Sequence, residues 1–272
     1  MGRPGARQER TEDIDVRRPN SARMYDYFLG GSANFEIDRE AGRKVIEAMP
    51  DTVHSIRANR GFLGRAVRYL VEQGVEQFLD LGSGVPTVGN VHEIAHVLDP
   101  SVRVVYVDKE PVAVAHSRQL LGDVKQADII EADLRDVRGV LDGATATGLL
   151  DTARPVGLLM VSVLNFIADY QETTEVVRGY LDGLVPGSYL ALSHATAAGL
   201  PQETADRVAE VYRNVNPPSY WRSPEQIDAL LGGLELVPPG LVAPSHWRPD
   251  VPPEVSAERI AYRAGVGELV AR

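Results

Sequence analysis

The sequence contains no cysteine. Disulfides and thiolate metal sites are therefore excluded, and the composition fits a cytoplasmic protein. Lysine is scarce: Lys44, Lys109 and Lys125 are the only three, and arginine carries the rest of the positive charge. No apolar run reaches the about 18 residues that a membrane span needs. The longest, Val156 to Ile167, is interrupted by Gly157, Ser162 and Asn165. The N-terminus is arginine-rich and lacks the apolar core of a signal peptide. Positive charge is in deficit overall, with 28 Lys and Arg against 38 Asp and Glu, a net of −10. Such a charge disfavours nucleic acid and anionic membranes, so neither is expected as a partner. A small-molecule substrate is the expectation that remains.

What is present is a core-forming α/β pattern. Residues 1–18 are polar and read as a flexible tail. Residues 19–74 read as a helical cap, and residues 75–272 as the main fold of a single domain. Asn20 or Ser21 can cap a helix that runs to Leu29 and stops at Gly30-Gly31. A second helix is expected over Ile37–Ala48, and a third carries the apolar stripe Ile56, Phe62, Leu63, Ala66, Val67 and Leu70 up to Gly74. The period then changes. Strands are expected at Gln77–Leu81, Val102–Val107, Ala127–Ala132, Val156–Leu164 and Tyr189–Ser193, with helical patterns between them. Alternation of this kind implies a parallel sheet covered on both faces. Two last strands are expected at Leu234–Val237 and Glu258–Ala264.

Asp80-Leu81-Gly82-Ser83-Gly84 stands where the first strand meets a helix. Glycines there let the backbone turn sharply and approach a ligand closely. Asp108 ends the second strand, a little over 20 residues later. An acid at that place can accept hydrogen bonds from ribose hydroxyls, or simply cap the helix that Pro111 opens. Together they point to an adenosine-containing cofactor. A dinucleotide site would want a third glycine, where this loop has Thr87, and would not welcome Asp80 beside a pyrophosphate. S-adenosylmethionine carries an ammonium and a sulfonium, which suit acidic neighbours. Asp133 supplies a further acid at the adenine end.

Several runs carry a family resemblance. They are Arg18 to Gly31, Ile56-Arg57-Ala58-Asn59-Arg60, Phe78 to Gly84 with Pro86-Thr87, Asn90-Val91-His92-Glu93, Val105 to Asp108, Ala132 to Arg135, and Gly187 to Leu190 with Ser193-His194. In this order they resemble the actinobacterial S-adenosyl methyltransferase family, from about residue 17 to the C-terminus. The resemblance implies a Rossmann-like class I methyltransferase fold: a mostly parallel seven-stranded sheet flanked by helices, with an N-terminal helical extension. It implies S-adenosyl-L-methionine as cofactor and leaves the acceptor unassigned. By the pattern of that class, Asp80, Gly82, Ser83 and Gly84 would line the methionine moiety. Asp108, with Lys109, would hold the ribose, and Asp133 and Leu134 would flank adenine. Val163, Leu164 and Asn165 would lie under the cofactor near the methyl.

Other residues are candidates for further roles. Tyr25, Asp26 and Tyr27 can form a lid, with Tyr25 or Tyr27 touching cofactor or substrate. The alternative is that Tyr25 and Phe28 only anchor their helix. Arg57 can grip a carboxylate or simply face solvent. His194, past the fifth strand, is a candidate base with an alternative life as a bonded loop residue. His92-Glu93-Ile94-Ala95-His96 matches a zinc-hydrolase pattern. Yet no third ligand follows at a suitable spacing, and Val91, Ile94, Ala95 and Leu98 leave both histidines on the helix flank; coincidence is favoured and no metal is expected. Tyr220-Trp221-Arg222 and His246-Trp247-Arg248 are expected to pack. A non-catalytic metabolite-binding protein of the same fold and a nicotinamide oxidoreductase stay open as alternatives.

Overall fold

The computed structural model describes residues 17–86 and 89–271. The tail expected over residues 1–18 lies, but for Arg17 and Arg18, outside the described residues, as does Thr87. The chain opens with three helices: α1 (Ser21–Leu29), α2 (Glu36–Ala48) and α3 (Thr52–Glu72). Asn20 caps α1 by accepting the N–H groups of Ala22 at 2.8 Å and Arg23 at 3.1 Å. Gly30, at φ +83°, ends it in a left-handed turn that only glycine adopts cheaply.

Five parallel strands follow: β1 (Gln77–Leu81), β2 (Arg103–Asp108), β3 (Ala127–Glu131), β4 (Gly157–Val161) and β5 (Tyr189–Ala195). Between them run α4 (Val91–Leu98), α5 (Pro111–Leu121), α6 (Val137–Ala146) and α7 (Tyr170–Asp182). The chain closes with α8 (Gln202–Tyr212), α9 (Pro224–Leu230), β6 (Glu235–Leu236) and β7 (Tyr262–Glu268). The sheet order is β3-β2-β1-β4-β5-β7-β6, with β7 antiparallel to both neighbours.

Side chains alternate across this sheet as the pleat requires. Phe78, Val104, Tyr106 and Ala191 bury against Phe62, Ala66 and Val67 of α3 and Val91 and Ala95 of α4. Leu79, Leu81, Val105 and Leu190 face the other way, against Val140 and Ala144 of α6 and Val176 and Tyr180 of α7. Trp247 is fully buried in the first of these layers, edge-on to Phe62 at 5.3 Å. Among the described residues no helix is long and apolar enough to cross a membrane.

Most strand ends lie within two residues of their expected bounds, and two strands depart further. β4 stops at Val161, not Leu164, because Ser162 takes φ +57° and turns the chain into a short 3-10 helix over Leu164–Phe166. The last strand starts at Tyr262, later than Glu258. It is built around Gly265 and Gly267, which hide the apolar alternation, and it is held by pairing with β5 and β6.

Candidate functional site

The strand order reverses direction between β1 and β4. In an open sheet of this kind a crevice forms there, beyond the carboxyl ends of the strands. A cleft of about 1250 Å³, counted with its open mouth, lies at that place. Ligand pockets run to roughly 300–1,000 Å³. The turn after β1 forms one wall. Gly82 at φ +67° and Gly84 at φ +68° hold it in left-handed conformations. A Cβ on Gly82 would stand 2.1 Å from the Val163 Cγ2, so glycine is needed there for space as well as for backbone.

Asp108, at the end of β2, holds this turn in place. Its Oδ2 accepts the Gly84 N–H at 2.7 Å and its Oδ1 accepts the Glu110 N–H at 2.8 Å. It is 9% exposed, and burial raises its pKa against the pull of these backbone donors. Asp80, under the turn, has no hydrogen bond to relieve it among the described residues. Burial pushes its carboxyl up to about 7, while Arg60 pulls it down and Asp108 adds to the rise. At the other end, Asp133 is gripped by Arg135 at 2.6 Å and by Lys109 at 3.0 Å, which lower its pKa. Leu134 lines the cleft beside it, its carbonyl accepting the Tyr180 hydroxyl at 2.8 Å.

The helical cap closes the roof. Asn20, Tyr25 and Asp26 of the α1 region line the cleft. Asn20 donates to Glu110 at 2.9 Å, and Arg23 bonds Asp38 at 2.8 Å in a pair buried on both sides. Arg23 also reaches Glu110 at 3.5 Å, so these contacts join α1 to α2 and tie the cap to the start of α5. Asp26 is buried rather than solvated, accepting from Asn34 at 2.7 Å.

Of the expected site residues, Asp80, Gly82, Ser83, Gly84, Asp108, Lys109, Asp133, Leu134, Val163 and Tyr25 come together around this cleft. Four others do not. Tyr27 turns towards α2, where its ring packs against Gly42. Leu164 is carried by the 3-10 turn into the apolar layer under the sheet. Asn165 lines a neighbouring cavity instead. His194 lies within β5, because that strand runs two residues beyond the expected end. It is completely buried, its Nδ1 is 2.8 Å from the Ala195 carbonyl oxygen, and burial lowers its pKa to about 4. A base needs reach and a pKa near the working pH, and His194 has neither.

Arg57 is exposed, and Arg60 faces the cleft in its place. The signal was available in the sequence: Arg60 is four residues after Ile56 and three before Leu63, on the buried stripe of α3. The histidine pair of α4 has structural partners. His92 Nδ1 is 2.7 Å from the Tyr106 hydroxyl, and His96 Nε2 is 2.8 Å from the Val102 carbonyl oxygen. Among the described residues no three His, Cys, Asp or Glu side chains gather as a metal site would require.

Similar proteins share this fold. A protein from Thermobifida fusca, provisionally named a methyltransferase, is 37% identical, with a TM-score of 0.89 over 97% of this chain and 100% of that one. A DUF574 family protein from Streptomyces avermitilis is 38% identical, with a TM-score of 0.88 over 93% of this chain and 98% of that one. The S-adenosylmethionine-dependent methyltransferase SibL shares the fold alone, at 18% identity and a TM-score of 0.51 over 80% of this chain and 56% of that one. No curated protein matches. The profile of the S-adenosyl methyltransferase family matches residues 7–270. With that match running nearly end to end through a chain of this topology, the protein belongs to the S-adenosyl methyltransferase family: it is an enzyme of class I methyltransferase fold that uses S-adenosylmethionine.

Proposed function

We propose that the cleft beyond β1, β2 and β4 holds S-adenosylmethionine and that the enzyme methylates a small molecule. The residues suit the cofactor. The Ser83 hydroxyl is buried without a partner among the described residues, an unmet polar group that a ligand would satisfy. The glycine turn leaves room for close approach, and acidic and basic side chains stand together at both ends of the cleft, Asp80 with Arg60 and Asp133 with Lys109 and Arg135. When bound, the cofactor supplies a methyl group on an electron-poor sulfonium sulfur.

The chain's own work is binding and orientation. A carboxylate has about four lone-pair sites. Asp108 accepts the Gly84 and Glu110 N–H groups, draws on that of Lys109 as well, and would offer its remaining capacity to the ribose hydroxyls. Asp133, fixed by Lys109 and Arg135, would accept from the adenine amino group, with Leu134 against the ring. Asp80 and Arg60 would face the ammonium and the carboxylate of the amino-acid end. Val163 would pack beneath the sulfur. Methyl transfer can run on alignment of the nucleophile alone, so no strong base is required.

The net charge of −10 supports a small acceptor over a nucleic acid, and the absence of cysteine fits a cytoplasmic enzyme. The observation that carries the reading is Asp108, a buried carboxylate joining the end of β2 to the glycine turn. Calorimetry with S-adenosylhomocysteine tests it. Asp108→Ala should weaken binding by about 1–3 kcal/mol, roughly 5–150-fold, through lost hydrogen bonds. A folded Asp108→Ala protein that binds as well as the wild type would refute the ribose assignment.

A further inference from the structure

A second cavity of about 520 Å³, counted with its open mouth, adjoins the cleft, between the helical cap, α8 and the ends of β4 and β5. Ser21, Tyr25, Ser162 and Phe166 line both spaces, so the two meet across these side chains. Their chemistry differs sharply. Eight charged side chains line the cleft: Asp26, Arg60, Asp80, Asp108, Lys109, Glu110, Asp133 and Arg135. Among the described residues no Asp, Glu, Lys, Arg or His lines the second cavity. Its walls combine apolar groups of Phe28, Ile56, Val208 and Trp221 with neutral hydroxyls such as those of Ser219 and Tyr212. An ionised guest would lose its water there and find no counter-charge, a cost that uncharged walls cannot return in full.

One polar group in this cavity is unsatisfied. Asn165 is 2% exposed, and its Oδ1 is buried with no hydrogen-bond partner among the described residues. Its Nδ2 donates to the Ser219 hydroxyl at 3.3 Å. A buried acceptor without a donor costs about 1–3 kcal/mol, which a ligand N–H or O–H would recover. The junction between the spaces is also held rigidly. Ser162, at φ +57°, sits in a conformation that a non-glycine residue adopts only when its surroundings impose it. Its N–H is held by the Ser193 carbonyl at 3.1 Å and the Ser193 hydroxyl at 3.0 Å. Ser193 donates to Asn59 at 2.5 Å, and Asn59 donates to the Tyr25 hydroxyl at 3.0 Å. The Ser162 hydroxyl is 2.9 Å from that of Tyr262. This network fixes the wall through which cofactor and acceptor would have to meet.

We infer that the second cavity is the acceptor site, and that it takes an uncharged small molecule with an apolar ring body and one hydroxyl or amine N–H donated to Asn165. The word acceptor rests on the cofactor reading above; selective binding of a neutral ring donor does not. The test uses the full chain and three probes of one shape, each titrated with and without saturating S-adenosylhomocysteine: 2-naphthol, naphthalene and 2-naphthoate. The wild type should bind 2-naphthol at least about tenfold more tightly than 2-naphthoate. Asn165→Leu should weaken 2-naphthol about tenfold and leave naphthalene and S-adenosylhomocysteine unchanged. Val208→Trp, which fills the cavity from α8, should abolish binding of both neutral probes and spare S-adenosylhomocysteine; it serves if Asn165→Leu does not fold. No binding of 2-naphthol, equal or tighter binding of 2-naphthoate, or an Asn165→Leu protein that keeps full affinity for 2-naphthol overturns the inference. Failure to bind S-adenosylhomocysteine, with naphthol selectivity intact, refutes the cofactor reading instead.

Discussion

The two glycines of the turn after β1 share nearly one backbone conformation, φ +67° at Gly82 and φ +68° at Gly84, but not one environment. An alanine at Gly84 would meet nothing within 4 Å, whereas at Gly82 it would stand 2.1 Å from Val163 Cγ2 and 2.8 Å from Val163 Cβ. Val163 is β-branched and 6% exposed, so it has no free rotamer into which it can retreat. Gly84→Ala should therefore pay only for left-handed backbone, about 1–2 kcal/mol. Gly82→Ala should pay that and overpacking of ~1–3 kcal/mol, a total of ~2–5 kcal/mol. At the roughly 2 °C per kcal/mol expected for a chain of this size, melting falls about 2–4 °C for Gly84→Ala and about 4–10 °C for Gly82→Ala.

Val163→Ala separates the two contributions. In that background the 2.1 Å contact with Cγ2 is gone and only the 2.8 Å contact with Cβ is left, so Gly82→Ala should cost less, and a double-mutant cycle should return a coupling of up to about 1–3 kcal/mol. Thermal melts of the four Gly82 and Val163 proteins, with Gly84→Ala as control, measure it. Equal losses for the two single alanines, or additivity in the cycle, would refute the steric account of the turn.

Three further outcomes are expected. Burial raises Asp80 from 3.8 to about 7, a folded pKa above the unfolded one, so its contribution to stability is complete below about pH 4 and is lost as pH rises through 7. Asp80→Asn should flatten that loss in cofactor-free melts. If a cofactor ammonium faces Asp80, binding should also tighten as pH rises through about 7 and release protons in calorimetry; a slope of opposite sign would count against the pairing. Arg60→Gln should weaken S-adenosylhomocysteine by ~1.5–3 kcal/mol, the worth of hydrogen bonds to a charged group, while 5′-methylthioadenosine, which lacks the amino-acid end, is bound unchanged. Equal losses for both ligands would place Arg60 elsewhere. Arg23→Ala should cost ~3–5 kcal/mol in chemical denaturation, because Asp38 keeps a buried charge with its partner removed. A loss near that of an exposed pair would contradict the buried geometry.

How much of this was legible depended on how local each signal is. The glycine turn, Asp108 and Asp133 were readable because strand ends place them at fixed sequence distances. Asn20 as a cap and Pro111 at the start of α5 were readable for the same reason. Arg60 was readable from the helical stripe of α3 and was passed over for Arg57, three residues earlier and outside that stripe. The rest was set by tertiary contacts. Nothing local announces that Ser162 turns left-handed, and that single residue moves Leu164 into the core and Asn165 into the second cavity. Tyr262 reaches Ser162 across 100 positions, through a strand whose glycines conceal it. Of the two aromatic–basic clusters expected to pack, Trp247 does so, while Trp221 also lines the second cavity.

The central claim is that one cleft, organised by Asp108 and the glycine turn, holds the cofactor with its reactive end towards the second cavity. A crystal structure of the complex with S-adenosylhomocysteine tests it directly. The account predicts both ribose hydroxyls within hydrogen-bond distance of Asp108, adenine beside Asp133 and Leu134, and sulfur next to Ser162 and Val163. A ligand bound with its ribose away from Asp108, or with its sulfur turned from Ser162, would contradict it.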